Sequence, residues 1–275
     1  MIVKIYIPDR SLQEYVINIS TVDAVLPNGM ETAVSPYPPS PFQSLIFYCN
    51  NPVSMGRVGS HLFQEQPLVV LIGPQCTRVN IQVHHMLRAI RVDFFPGGMY
   101  RMLGIPMHQL LDRGLDATDL FGSEMELIKD QLRNTASLEE GKHIVETFLL
   151  NLLQRSKERL PFDSAMQVLM KHDGNLPIEQ VASLSCLSTK QFERKCKERI
   201  GMNPKMYARI LKFSKAYRLH EAYPQMSWTA IAHQAGYFDH MHMIRDFREF
   251  AGVNPSIIQQ QLSATPLRMQ KDLYY

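Results

Sequence analysis

Two different periods run through the polar and apolar positions of this chain. Up to about residue 125, short β-rich runs at 2–7, 44–49, 68–72 and 79–95 are separated by clusters of Pro, Gly and Asn. Among these separators are Asn28-Gly29 and the proline-rich stretch 36–41. Apolar runs of that length between turn residues predict strands, and several in succession predict a β sandwich or small barrel. From Glu124 the pattern turns helical. Residues 138–160 read as a helix whose apolar side is Val145, Phe148, Leu149, Leu152 and Leu153. That side suits packing on the barrel or against a second copy of the chain.

The last third is helical throughout and repeats itself at an offset of 50 to 51 residues. Val181-Ala182 recurs as Ile231-Ala232, Leu187 as Tyr237, Arg194 as Arg245, and Cys196 as Phe247. Glu198 recurs as Glu249, and Gly201-x-Asn203-Pro204 as Gly252-x-Asn254-Pro255. In the first copy a helix over 162–171 ends at Asp173-Gly174-Asn175, and Pro177 opens a short helix as its first residue. Ser188-x-x-Gln191 has the form of a capping box, so the next helix starts there. Phe192, Cys196 and Ile200 make its buried stripe, leaving Lys190, Glu193, Arg194 and Lys197 on its other faces. Asn203-Pro204 then begins a helix of about 20 residues, about 30 Å long. Its apolar stripe is Ile210, Phe213 and Tyr217, and its polar stripe is Arg209, Lys212, Lys215 and Arg218. The second copy runs from Ser227 and starts its final helix at the cap Asp239. There Met243, Phe247 and Phe250 face inward, while His240, Met241, His242, Arg245 and Arg248 face out.

Each copy has the form of a helix-turn-helix unit, in which the second helix enters the major groove of DNA. Arg194 suits bidentate bonding to guanine, Glu193 accepts from cytosine, Lys190 reaches guanine or phosphate, and Met241 fits a thymine methyl. A connecting helix about 30 Å long sets two such readers near one DNA turn apart, about 34 Å.

Charge strengthens this reading more than the net value of +3 suggests. Residues 1–155 hold 12 Lys+Arg against 15 Asp+Glu, whereas 156–275 hold 17 against 11. Between Ser188 and Arg218 stand ten basic residues (Lys190, Arg194, Lys195, Lys197, Arg199, Lys205, Arg209, Lys212, Lys215, Arg218) and two acids. That density is what neutralising phosphates requires. In the second copy Asp239, Asp246 and Glu249 offset the arginines, so the first copy is expected to supply most of the affinity and the second register or sequence preference.

At 275 residues and 45% hydrophobic content the chain can bury two ordinary cores without disulfides. The four cysteines, Cys49, Cys76, Cys186 and Cys196, form no Cys-x-x-Cys pair. Cys196 lies on a buried stripe and reads as core, and Trp228 in a first helical turn reads as packing. His84 and His85, adjacent on a strand, point to opposite sides and suggest no metal site. No nucleophile-base arrangement, phosphate loop or carboxylate pair stands out, so no catalytic residue and no cofactor are assigned. With no apolar run near 20 residues and no leader pattern, the expected location is cytoplasmic, at the nucleoid when on DNA.

The residues of the last third resemble the AraC/XylS family of bacterial transcription regulators. The likeness covers about residues 161–261 and rests on the stretch from LPIEQVASLSCLSTKQFERKCKERIGMNPKMYARILKF to SWTAIAHQAGYFDHMHMIRDFREFAGVNPSII. Its most specific parts are the Ala-x-x-x-Gly-Tyr-x-Asp and Arg-x-Phe-Arg-x-x-x-Gly-x-x-Pro runs. The resemblance implies base readers at Lys190, Glu193 and Arg194 and at His240, Met241, His242 and Arg245, while the basic cluster itself puts Lys197, Arg209 and Lys212 on DNA. Its departures, Cys196 and Met243 where phenylalanine is usual and Met241 where a small polar residue is common, soften the cores. Residues 1–125 are similar to an uncharacterised domain found ahead of such units. That likeness rests on Leu26-Pro27-Asn28-Gly29, Ile72-Gly73-Pro74-Gln75, Phe94-Phe95-Pro96-Gly97-Gly98 and Leu103-Gly104-Ile105-Pro106.

The expectation is therefore an α+β multidomain chain. A β-rich sensor or dimerisation domain occupies 1–155, two helix-turn-helix units joined by a long helix occupy 161–262, and a loosely ordered tail occupies 263–275. The expected partners are double-stranded DNA and RNA polymerase, with a small-molecule effector or a second copy at the first domain. The opposing class is an enzyme or carrier acting through the β domain, and the absence of metal-ligand spacing argues against it.

Overall fold

A computed structural model describes residues 1–267. Among them, ten strands form two antiparallel sheets: β1 (Ile2–Tyr6), β2 (Val16–Val25), β3 (Thr32–Tyr37), β4 (Gln43–Tyr48), β5 (Ser54–Arg57), β6 (Gln64–Glu65), β7 (Val69–Ile72), β8 (Val79–His84), β9 (Met86–Phe94) and β10 (Gly114–Asp116). The larger sheet has the order β1-β2-β9-β4-β7-β10 and the smaller β3-β8-β5-β6. The expected run 79–95 is in fact two strands. At His85 the backbone takes φ 47°, a left-handed value that histidine adopts more readily than most residues, and the chain passes from the smaller sheet to the larger. The proline-rich stretch is not wholly a separator either. Pro36 lies inside β3, at the edge of its sheet, the place where a strand best tolerates a missing N–H.

Helices begin earlier than Glu124. They are α1 (Gly98–Leu103), α2 (Ala117–Phe121), α3 (Ser123–Arg133) and α4 (Leu138–Leu152). The last is shorter than the expected 138–160, because the chain leaves the helix to exchange backbone and side-chain bonds with Arg101. Lys157 N donates to the Arg101 carbonyl at 2.8 Å, and Arg101 Nε donates back to the Lys157 carbonyl at 3.1 Å. Val145, Phe148 and Leu149 are buried against the larger sheet, with Phe148 edge-on to Phe47 at 6.4 Å. The helix therefore packs on its own β domain, as one of the two expectations had it.

The C-terminal region contains α5 (Pro161–Lys171), α6 (Ile178–Leu184), α7 (Thr189–Arg199), α8 (Pro204–Ala222), α9 (Trp228–Gln234), α10 (His240–Asp246) and α11 (Pro255–Ser263). Pro177 caps α6 rather than opening it, a one-residue difference. A wider π-type turn over Phe247–Ala251 extends α10 and keeps Phe247 and Phe250 inward. The long helix α8 is less of a strut than expected. Pro204, Tyr207, Ala208, Ile210, Leu211, Phe213, Ser214, Ala216, Tyr217, His220 and Glu221 are all buried, so it is the central helix around which both units pack.

The two regions are not independent bodies. Phe42, from the loop before β4, is buried within the helical core, with Ile17, Phe95 and Leu111 packed beside it. Gln43 Nε2 donates to the Ile200 carbonyl at 3.0 Å, and Arg78 Nη1 donates to the Ala251 carbonyl at 3.3 Å. Gly201, at φ 95°, is pressed so closely to Pro74 that a Cβ there would stand 2.4 Å from the proline ring. At the far end, Ser263 closes α11 and Leu267 is buried in the cluster between the sheets, so the start of the expected loose tail is packed. Residues 268–275 of that tail lie outside the described residues.

Candidate nucleic-acid interface

Helix α7 is fixed at its start by reciprocal bonds. Ser188 Oγ accepts from Gln191 N at 3.4 Å, and Gln191 Oε1 accepts from Ser188 N at 3.0 Å. These satisfy donors that every helix start leaves open. Phe192 and Cys196 are fully buried, and Ile200 behind them nearly so. Burial pushes the Cys196 thiol pKa up, consistent with a core residue. With this face held down, Lys190, Glu193, Arg194 and Lys197 are all exposed on the other side. Lys190, Arg194 and Lys197 pair with no acid among the described residues.

The rest of the basic cluster divides. Arg199, counted in the sequence among phosphate-facing charges, is buried, and its Nη1 donates to both carboxylate oxygens of Asp163 at 2.8 and 2.7 Å. Lys195 pairs with Glu198 at 2.9 Å, and Lys215 with Asp173 at 2.7 Å. Arg209, expected on DNA, is committed within the protein. Its Nη2 donates to Asp246 at 2.6 Å, and it also meets Glu249. The Lys195 pair lies within α7, and the other three charges tie separate segments of the helical region together. Spacing gave no sign of it, because the acids that meet Arg199, Arg209 and Lys215 lie 36 to 42 residues away. Lys205 is exposed and Lys212 half-buried on α8.

The second unit repeats the construction with less charge. Ser227 caps α9 by accepting from Ala230 N at 3.2 Å, and Asp239 caps α10 by accepting from His242 N at 2.8 Å. Asp239 Oδ2 also meets His242 Nδ1 at 2.9 Å, which holds that ring over the first turn. Met243 is buried. Met241, His242 and Arg245 are exposed, and His240 is half-buried. Arg248 is tied to Asn254 at 2.7 Å. Asp246, read in the sequence as a surface charge offsetting the arginines, is buried between Arg209 and the Tyr237 hydroxyl. Trp228 is packing, 4.3 Å from the His220 ring and edge-on to Phe247.

One residue escaped the sequence reading. Phe238, immediately before the cap of α10, is 95% exposed and lies edge-on to His242. The signal was an aromatic wedged between the core Tyr237 and the cap Asp239, in a turn where polar residues are the usual occupants.

The C-terminal end of α7 also bears on the β domain. The Tyr100 hydroxyl donates to Glu198 at 2.5 Å, which holds the Glu198 carboxyl below its ordinary pKa, with help from Lys195. The exposed N-terminal turns of the helix are therefore mounted on a seat that the other domain supplies. Among the described residues no three His, Cys, Asp or Glu side chains gather as metal ligands, and no helix is long and apolar enough to cross a membrane.

Comparison with known proteins agrees with this anatomy. A helix-turn-helix domain family matches residues 181–261, and a domain family of unknown function, DUF6597, matches residues 4–116. A Haemophilus influenzae protein described as an uncharacterized HTH-type transcriptional regulator is 24% identical over 161 residues, covering 58% of this chain and 53% of its own. The chain thus spans about half the length of that curated relative. Among solved structures, ToxT from Vibrio cholerae with bound unsaturated fatty acid is similar at TM-score 0.49 and 11% identity, over 90% of this chain and 98% of that one. ToxT bound to (E)-4-(8-methylnaphthalen-1-yl)but-3-enoic acid is similar at TM-score 0.47 and 12% identity, over 85% of this chain and 100% of that one. With its two capped helix-turn-helix units, the chain carries an AraC-type helix-turn-helix domain over residues 181–261 behind a DUF6597 domain over residues 4–116.

Proposed function

We propose that this chain regulates transcription by binding specific DNA sequences with α7 and α10 as recognition helices, set about one helical turn of DNA apart. One observation carries the reading. Lys190, Glu193, Arg194 and Lys197 form an exposed row, with no acid meeting its three cations, on a helix whose opposite face is buried. Such a row offers bidentate and single donors, and one acceptor, to base edges in the major groove. Lys205 and Lys212 supply phosphate contacts beside it. In the second unit Met241, His242 and Arg245, with His240 at the edge, read bases with little help from charge. The N-terminal domain takes an effector or a second copy and biases the readers through the seat under α7. RNA polymerase is the partner that an activator of this kind contacts.

The β-domain enzyme is the weaker reading, since it leaves the exposed basic row of α7 without a use. Selection of bound duplexes from a random library by the whole protein, at near-physiological salt, tests the proposal. Two short enriched boxes about one turn apart support it. A folded protein that enriches nothing overturns it.

A further inference from the structure

A cavity opens between the two sheets of the β domain. Its walls are mostly apolar, with Ile46, Val70 and Leu87 from the larger sheet facing Val79 and Ile81 from the smaller. That lining suits a small organic molecule. The polar groups among its walls decide which.

Arg91 of β9 lines this cavity and is buried. Its Nε donates to Asp93 at 2.7 Å, its Nη1 to the Tyr37 hydroxyl of the smaller sheet at 2.5 Å, and its Nη2 to Ser44 at 3.0 Å. A guanidinium carries five N–H donors, so two are left over. Tyr37, which accepts from Arg91, keeps its own proton to donate. Tyr48 also lines the cavity, opposite Ala89 in the strand register and two residues along β9 from Arg91. It is buried, and its hydroxyl bonds to no described residue. Arg91, Tyr37 and Tyr48 thus bring spare donors to the lining of a mostly apolar space, which Asn18, Ser20, Gln66 and Gln75 also line.

The charge there is already balanced. Asp93 is buried, neutralises Arg91, and has one carboxylate oxygen without a partner. An entering anion would gain from Arg91 and lose to Asp93, while shedding its hydration in a site with little water to replace it. A neutral oxygen acceptor meets the same donors without that cost.

We infer that the space between the sheets is a binding site for an uncharged, mainly apolar molecule with one hydrogen-bond-accepting oxygen, held at Arg91, Tyr37 and Tyr48. The inference rests on reading the N-terminal domain as the place where an effector acts, and it names the chemistry of that effector.

The test uses two probes of nearly equal shape and different charge, 2-acetylnaphthalene and 2-naphthoate, titrated calorimetrically into the whole protein without DNA. The neutral ketone is expected to bind at least tenfold more tightly than the carboxylate. Tyr37→Phe and Tyr48→Phe, which keep the ring and remove only the hydroxyl, should each weaken the ketone several-fold. Ala89→Phe, which fills the cavity, should abolish its binding in a protein that circular dichroism shows to be folded. Carboxylate binding as tight as the ketone's, no binding of either probe, or ketone binding indifferent to all three substitutions overturns the inference. The DNA selection experiment involves neither probe. Loss of sequence selection with intact ketone binding would count against the regulator and leave the site standing, and the reverse result would do the opposite.

Discussion

Arg209 of the long helix and Asp246 of α10 lie 2.6 Å apart, so a residue that the sequence places on DNA instead ties the long helix to the second helix-turn-helix unit. Glu249 completes the clamp, the Tyr237 hydroxyl donates to the other oxygen of Asp246, and the guanidinium lies over the Phe250 ring. Arg209→Ala leaves Asp246 buried without its main partner. Calorimetric melting should show a loss of about 1–3 kcal/mol, less than for a fully buried pair because the arginine is partly exposed. Arg209→Lys should recover only part of it, lacking the forked geometry. The slope of log affinity against log salt should not change. A fall of about 0.9 in that slope would mean that Arg209 reaches a phosphate after all.

Arg194 and Lys212 separate reading from attraction. Arg194→Ala should cost about 1–3 kcal/mol on the selected operator and relax preference at one base pair. Lys212→Ala should weaken specific and random DNA alike and lower the salt slope by about 0.9. Binding isotherms on both DNAs decide this, and equal losses for the two substitutions would remove Arg194 from the readers.

Phe238 is expected to serve DNA and not the fold. At 95% exposure its removal costs the folded protein little, so Phe238→Ala should leave the melting temperature unchanged while weakening operator binding several-fold. Unchanged affinity would return Phe238 to the ordinary exposed surface.

Phe42 belongs by position to the β domain and by packing to the helical core. Phe42→Ala should destabilise the protein by about 3–5 kcal/mol. The sole tryptophan, Trp228, is in the second helix-turn-helix unit and reports on the other region. Denaturant unfolding followed by its fluorescence should shift to a lower midpoint, and an unmoved Trp228 transition would contradict a shared core.

The Tyr100–Glu198 contact makes the seat of α7 sensitive to acid. The Glu198 carboxyl is held below its ordinary value of 4.5, first by the Tyr100 hydrogen bond. A depressed carboxyl contributes stability that is present above its unfolded value and is lost as pH falls through the folded one. Melting temperature should therefore decline below about pH 4.5 more steeply in the wild type than in Tyr100→Phe. Superimposable profiles would show that the bond carries no such linkage.

The local grammar of the helical region was legible in the chain. Ser188 with Gln191, Ser227 and Asp239 cap the helices they precede, and Phe192, Cys196, Met243 and Phe247 lie inward as their spacing demands. Caps and stripes depend on residues three or four apart, which a sequence displays directly. The β domain was legible as a class, since apolar runs between turn residues leave few alternatives to a two-sheet fold.

What only the tertiary structure decided is where distant residues meet. Charge alone cannot separate Arg194 from Arg199, yet one is exposed on the open face of α7 and the other is locked to Asp163, 36 residues away. The same holds for Arg209 and Lys215, for Phe42 inside another region's core, and for Leu267 between the sheets. Arg91 pairs with Asp93 along its own strand, but its contact with Tyr37 across the cavity arises only when the two sheets face each other. Sequence periodicity fixes which face of an element is buried. The partner that covers the face, and so whether a given charge serves the fold or remains free for DNA, follows from long-range packing that no local pattern encodes.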